Sequence, residues 1–212
     1  MASKRIRTAF QKDFLIALRA LINVHHSIYP QIPPQGIYFE ALVQEAFKKI
    51  KRPYTEIKES GRNLPSHDLL VEGRRISLKT ETGLGTNKDF ISITKLCTTE
   101  REPWTPRILL LRVLEHLNRY DVVLLLRSIW ELPLLHYQLL EIPVELLKSL
   151  ESATLAPVGK RKGRRSLGAD VYRDGQKIFH LHFDGSDGKC QIRNLPVQSC
   201  RLLQKWDLRI RD

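Results

Sequence analysis

Sulfur is scarce in this chain: its 212 residues include 3 cysteines and 1 methionine. Cys97, Cys190 and Cys200 lie far apart with no Cys-x-x-Cys spacing, so neither a disulfide framework nor a zinc site is indicated. They read as free thiols in a reducing compartment. Long apolar runs are missing too. Residues 108–111 and 122–126, ended by Arg112 and Arg127, fall far short of the ~18 residues of a membrane helix and suit a protein core. The basic N-terminus, Met-Ala-Ser-Lys-Arg-Ile-Arg, is not followed directly by the apolar core of a secretion signal. A soluble intracellular protein is expected. Acids are outnumbered, 23 against 35 Lys and Arg, for a net charge of +12. Such an excess favours polyanions, by counterion release on nucleic acid or by attraction to acidic lipid, with nucleic acid the preferred partner.

What is present is otherwise ordinary. An apolar fraction of 42% and a charged fraction of 27% are those of a globular protein. The length suits a single domain over residues 1–212, with neither repeat nor linker. Phe10, Phe14, Leu15, Leu18, Leu21 and Ile22 predict a helix over residues 8–27, closed by His25 and His26 as partners of its C-terminal dipole. Prolines stiffen the connector to a second helix over residues 36–50, whose apolar stripe is Phe39, Leu42, Val43, Ala46, Phe47 and Ile50. Glu40 sits at the border of that stripe and Glu45 on its solvent side. Residues 51–66 read as a loop or ragged strand.

Residues 67–83 hold two β-prone runs around Glu-Gly-Arg-Arg, which predicts a β-hairpin. With Val71 opposite Ile76, Leu70 faces Ser77 and Asp68 faces Lys79. Asp68, Ser77, Lys79 and Glu81 then share one face, and Leu69, Val71, Ile76 and Leu78 the other. Gly83-Leu-Gly-Thr-Asn-Lys after it lacks the Gly-Lys-Ser/Thr ending of a phosphate loop. A short strand at residues 90–93 and a turn or helix start at 94–99 follow. Thr105-Pro106 opens a helix to about Tyr120, residues 121–129 form a buried central strand, and 134–142 another. Pro143 begins a helix through Leu150. Residues 159–168 form a basic loop. Hairpins are expected over 169–183 and 177–195, and a short helix over 197–208 with Leu202, Leu203 and Trp206.

Two carboxylates and a lysine on one side of a hairpin suit phosphodiester hydrolysis. That reaction needs carboxylates to hold a divalent cation at the phosphate and a positive side chain beside the developing negative charge. Magnesium takes oxygen ligands and keeps several waters, so Asp68, a second acid and a backbone carbonyl suffice. An ion pair between Asp68 and Lys79 without catalytic meaning is the bland alternative. His180 and His182 share a strand face but have no third ligand, so surface or DNA-contact roles suit them better.

These residues resemble the PD-(D/E)XK nucleases, and among them the type II restriction endonucleases. Phe39-Glu40-Ala-Leu-Val resembles the Phe-Glu-x-Leu-Val helix of several members, and His67-Asp68 through Ser77-Leu78-Lys79-Thr80 resembles the catalytic hairpin. Residues 137–146 and 179–195 resemble the later strands. The resemblance implies an α/β fold with a restriction-endonuclease-like core, a central mixed β-sheet flanked by helices, spanning residues 36–150. Asp68 and the main-chain carbonyl of Leu78 would bind Mg2+, Lys79 would contact the scissile phosphate or attacking water, and Glu40 would bind the metal or its water shell. The chain departs from the pattern twice. Pro65 is separated from Asp68 by Ser66-His67, and Ser77, a poor magnesium ligand, replaces the acid two before Lys79. Glu40 and Glu81 are equal candidates to complete the site, with Asp89 and Glu100 behind.

The implied activity is Mg-dependent, sequence-specific cleavage of both strands of double-stranded DNA, leaving 5′ phosphates, by a homodimer or by sequential nicking in a prokaryotic cytoplasm. A repair nuclease of the same fold, or a DNA-binding module without chemistry, is the alternative. DNA contacts are expected from residues 159–195, through Lys160, Arg161, Lys162, Arg164, Arg165, Arg173, Lys189, Arg193 and Asn194.

Overall fold

A computed structural model describes residues 10–56, 68–99, 103–160 and 164–210. Helix α1, Lys12–Ile28, buries Phe14, Leu18 and Ile22, one residue per turn along a single face. Helix α2, Ile37–Lys49, buries Phe39, Val43, Ala46 and Phe47. The rings of Phe14 and Phe47 stack at 4.4 Å and join the two helices.

Together they cover one face of a six-stranded mixed sheet. In chain order its strands are β1 (Thr55–Glu56), β2 (Leu69–Val71), β3 (Arg74–Glu81), β5 (Val122–Glu131), β6 (Leu134–Pro143) and β11 (Arg201–Arg209), and they are neighbours in that order. β3 and β5 run parallel; the other pairs are antiparallel. β5 is central, and its residues bury on both faces. Val122, Leu124 and Leu126 meet the α1–α2 side, and Val123 and Leu125 the other, which is why it reads as continuous apolar sequence.

On that second face lie helix α3 (Pro106–Leu117) and a five-stranded antiparallel sheet. It comprises β4 (Phe90–Thr98), β7 (Ala156–Val158), β8 (Ser166–Arg173), β9 (Gln176–Phe183) and β10 (Lys189–Pro196), ordered β4-β10-β9-β8-β7. A short helix α4, Val144–Leu147, continues into a 3-10 turn. The α/β core with a central mixed sheet flanked by helices is therefore present, and a second sheet accompanies it.

Three local expectations are corrected. The hairpin turns on Glu72 and Gly73 alone, with φ of +49° and +78°, the left-handed conformations that a two-residue turn requires. Pairing tightens by two residues: Leu69 faces Ile76, and Asp68 is brought opposite Ser77 instead of Lys79. Because the shift is even, every side chain keeps its face. Residues 94–98 continue β4 instead of turning. Their inward positions jump from Ile93 to Leu96, and irregular pairing with β10 absorbs the break in alternation.

The C-terminal helix is a strand. Leu202, Leu203 and Trp206 fit a helical stripe, but β11 supplies the missing partner of β6, burying Trp206 and stacking it on Tyr137 at 5.1 Å, with Ile210 buried just beyond its end. An unpaired β6 edge would leave a row of backbone groups unsatisfied, and that tertiary demand overrides local pattern.

Candidate active site

β2 ends while β3 continues, so past Ile76 no described strand pairs with that edge of β3. Asp68 stands at this step. Its N–H donates to the Ile76 carbonyl at 2.9 Å, and its Oδ2 accepts the Leu78 N–H at 2.5 Å and the Ser77 hydroxyl at 3.3 Å. In an extended strand the N–H and C=O of one residue project to the same side. The Leu78 carbonyl therefore points to the side on which Asp68 lies. Leu78 itself packs its side chain into the α1–α2 core, while Ser77 and Lys79 point the other way.

Glu40 reaches the same place from α2. Phe39 and Val43 anchor the helix in the core and leave Glu40 half-buried at the rim. Burial raises its carboxyl above the ordinary range; the negative charge of Asp68 raises it further, and Lys79 opposes. Both influences place Glu40 within electrostatic reach of Asp68 and Lys79.

Glu81 is differently employed. Its Oε2 accepts from Nε of Arg127 at 2.5 Å, and its Oε1 from the Ser92 N–H at 2.8 Å. Arg127 is wholly buried and also donates to Gln138 at 2.8 Å, to the Phe90 carbonyl at 2.7 Å and to the Asn87 carbonyl. The carboxyl of Glu81 is raised by burial, which outweighs Arg127. Glu81 lies on the strand face of Ser77 and Lys79, as expected, but its two oxygens hold the buried guanidinium and the start of β4. Asp89 is exposed in the loop after β3, its carbonyl accepting the Val197 N–H at 2.8 Å, and Glu100 lies outside the described residues.

Two further residues escaped the sequence reading. His116, in the last turn of α3, is pushed down to about 4 by burial and then by the charges of Lys79 and Arg119, against a hydrogen bond to the Leu96 backbone. Its Nε2 is buried without a hydrogen-bond partner. The Tyr120 ring packs edge-on to it at 5.3 Å. The Tyr120 phenol is buried and pushed up by that burial, by the thiols of Cys97 and Cys190 and by Asp68. Helical spacing from 116 to 120 was the available signal, but nothing local points α3 at Lys79. Arg127 did carry a signal, as a lone charge inside an apolar strand, which demands a buried partner.

The basic residues are dispersed. Lys160 and Arg165 are exposed, while Arg161 and Lys162 lie outside the described residues. Arg164 lies 4.4 Å from the Trp104 ring and donates to the Gly185 carbonyl at 2.8 Å, and Trp104 donates to the Arg165 carbonyl at 2.7 Å. Arg164 thus secures the base of the loop. Arg173 is exposed at the β8–β9 turn, and Lys189, at the β9–β10 turn, pairs with Asp187 at 2.6 Å. These two turns lie at opposite ends of the sheet. Arg193 donates to Gln191 at 2.6 Å in the middle of β10, and Asn194 is exposed with φ of +58° at a bulge. His180 bonds Asp170 at 2.7 Å, and its ring is 6.3 Å from that of His182.

Among the described residues no three His, Cys, Asp or Glu side chains form a metal-binding group. What the fold brings together instead is Asp68 with the Leu78 main chain and Ser77, and Glu40 within the electrostatic influence of Asp68 and Lys79. The type II site-specific deoxyribonuclease family model named SmaI matches residues 4–208.

The chain belongs to that family.

It is 32% identical over 203 residues to the type II restriction enzyme SmaI of Serratia marcescens, covering 93% of this chain and 81% of that protein. No solved structure matches significantly. Membership makes the chain a sequence-specific restriction endonuclease, of a class that generally uses a divalent metal. Among the described residues no helix is long and apolar enough to cross a membrane.

Proposed function

We propose that Asp68, Glu40 and the Leu78 carbonyl form the cation site of this nuclease, that Mg2+ is the cation, and that Lys79 is the positive group at the scissile phosphate. The observation that carries this is Asp68, held by the Leu78 N–H and the Ser77 hydroxyl at the step between β2 and β3, together with Glu40, whose carboxyl feels both Asp68 and Lys79. A rim carboxyl raised by burial and by a neighbouring carboxylate marks a site lacking positive charge. A hard cation with oxygen ligands relieves this, and magnesium needs only one or two carboxylates, the remainder being water and substrate.

A bound divalent cation there supplies charge neutralisation at the phosphate and acidifies a water. The chain's own groups do the rest. The Leu78 N–H and the Ser77 hydroxyl hold Asp68 in one orientation. Ser77 therefore replaces the expected acid as a support for Asp68, and Glu40 supplies the second carboxylate from across the rim. Glu81 keeps Arg127 neutralised and ties β3 to β4. The Lys79 ammonium stabilises charge developing on the phosphate oxygens, and the neutral His116 beside it does not compete with that charge. The products carry 5′ phosphates.

Cutting both strands calls for two such sites, and we assign the second to another copy of the chain. Lys160, Arg165, Arg173, Arg193 and Asn194 remain candidates for contacting the duplex, with Arg161 and Lys162. The cytoplasm of a prokaryotic cell is the compartment that fits free thiols and a DNA substrate.

Plasmid cleavage tests the assignment. With Mg2+ the protein gives discrete fragments with 5′ phosphates. Asp68→Ala and Lys79→Ala each lower turnover by at least about 100-fold while the affinity for uncut DNA stays within a few-fold. Near-normal cleavage by either variant refutes the site.

A further inference from the structure

We propose that the apolar connector between α1 and α2 is the surface through which a second copy of this chain docks, next to the catalytic rim. This deepens the two-site reading above and rests on it for the identity of the partner.

Ile28, Tyr29, Ile32, Ile37 and Tyr38 are between 52% and 72% exposed. Tyr29, Ile32 and Tyr38 are drawn together, since the rings of Tyr29 and Tyr38 both pack on His25, with centroids at 5.2 and 6.2 Å, and the Ile32 N–H turns back to the Tyr29 carbonyl at 3.1 Å; Ile28 and Ile37 adjoin them in the chain. With about 200 Å² for a large side chain, the five expose roughly 600 Å². That is at the upper end of the largest patch on a typical monomer, roughly 300–600 Å². It is also most of the roughly 800 Å² that each partner buries in a standard interface. Val24, one turn before Ile28 on α1, is likewise exposed and extends the patch.

Charge selects the occupant. Residues 27–39 contain no Asp, Glu, Lys, Arg or His, in a chain of net charge +12. A phosphate backbone gains nothing from such a surface. Two copies that repel each other elsewhere meet least repulsion there. Position selects it as well. Both scissile phosphates lie on one duplex, whose grooves are about 6 and about 12 Å wide, so the two centres must stand close together. An interface that serves this must adjoin the catalytic rim. Ile37 and Tyr38 begin the helix that carries Glu40.

The test is the molecular mass in solution of the intact protein and of the double variant Ile28→Lys, Ile37→Asp. Lysine at the end of α1 and aspartate at the start of α2 both suit the helix dipoles, so the fold is kept, and far-UV circular dichroism checks this. The wild type is expected at twice 24.6 kDa and the variant at 24.6 kDa, with the dimer Kd raised by about 100-fold or more. On supercoiled plasmid the variant accumulates nicked circles where the wild type gives linear DNA. Ile32→Glu, outside both helices, gives the same result independently. A wild type monomeric at all concentrations, or variants that remain dimeric, overturns the proposal. If the variants dissociate but no form of the protein cuts DNA, the interface stands and the nuclease reading falls. If the variants stay dimeric and cut normally, the reverse holds.

Discussion

Replacing Glu81 by Gln separates a structural carboxylate from a catalytic one. The substitution keeps the shape and removes the charge opposite Arg127, a side chain that is wholly buried and cannot shed its proton. Breaking a buried ion pair by removing one partner costs about 3–5 kcal/mol. The low end applies, because Gln138 and the Phe90 and Asn87 carbonyls still accept from the guanidinium. Against the 5–15 kcal/mol typical of whole domains, a loss of about 3 is large. In a chain of this length each kcal/mol moves Tm by roughly 2–4 °C, so the variant should melt about 6–12 °C lower. The half-saturating Mg2+ concentration, measured well below the melting range, should stay within about twofold, because both Glu81 oxygens already accept from Arg127 and Ser92. Calorimetry and a Mg2+ titration of plasmid cleavage on one preparation decide the matter. A variant that melts like the wild type while its Mg2+ requirement rises refutes the argument and returns Glu81 to the metal.

Glu40→Gln should do the opposite: the half-saturating Mg2+ concentration rises by at least about tenfold with little change in Tm, since second-layer changes alone cost 10–100-fold. In the wild type that requirement should also climb as pH falls through the raised range of Glu40, because a ligand carboxyl must lose its proton first. Without metal the sign reverses for stability. The native state binds the Glu40 proton more tightly than the unfolded chain, so this group makes stability fall as pH rises from the ordinary carboxylate range through its raised value. His116 acts at the same end of the scale. Its pKa is lowered from 6.5 to about 4, so the unfolded chain binds more protons in that window, and Tm should fall as pH drops through it. His116→Gln should flatten that slope in a pH series of melts; an unchanged slope sinks the assignment.

Local patterning suffices for much of this protein. The stripes of α1 and α2, the Thr105-Pro106 start of α3, the apolar run of β5 and the alternation of the hairpins all declare themselves, because each is a periodicity of burial that neighbouring residues impose together. The candidate face of the hairpin is legible for the same reason: alternation in β-structure has a period of two, and even the wrong register leaves Asp68, Ser77 and Lys79 on one side. Residues 202–206 satisfy a helical stripe equally well, and only the bare edge of β6 turns them into β11. The break at residues 94–96 looks like a turn until β10 pairs across it with its own irregularity.

The division is clearest at the two glutamates. Glu40 and Glu81 are equivalent acids at plausible places in the chain, and no spacing rule distinguishes them. What separates them is the company supplied by remote elements. Arg127, 46 residues from Glu81 on a neighbouring strand, occupies one carboxylate. The packing of Phe39 and Val43 swings the other to the rim beside Asp68. Electrostatic partnership depends on distance in space and on burial, and both are properties of the packed chain.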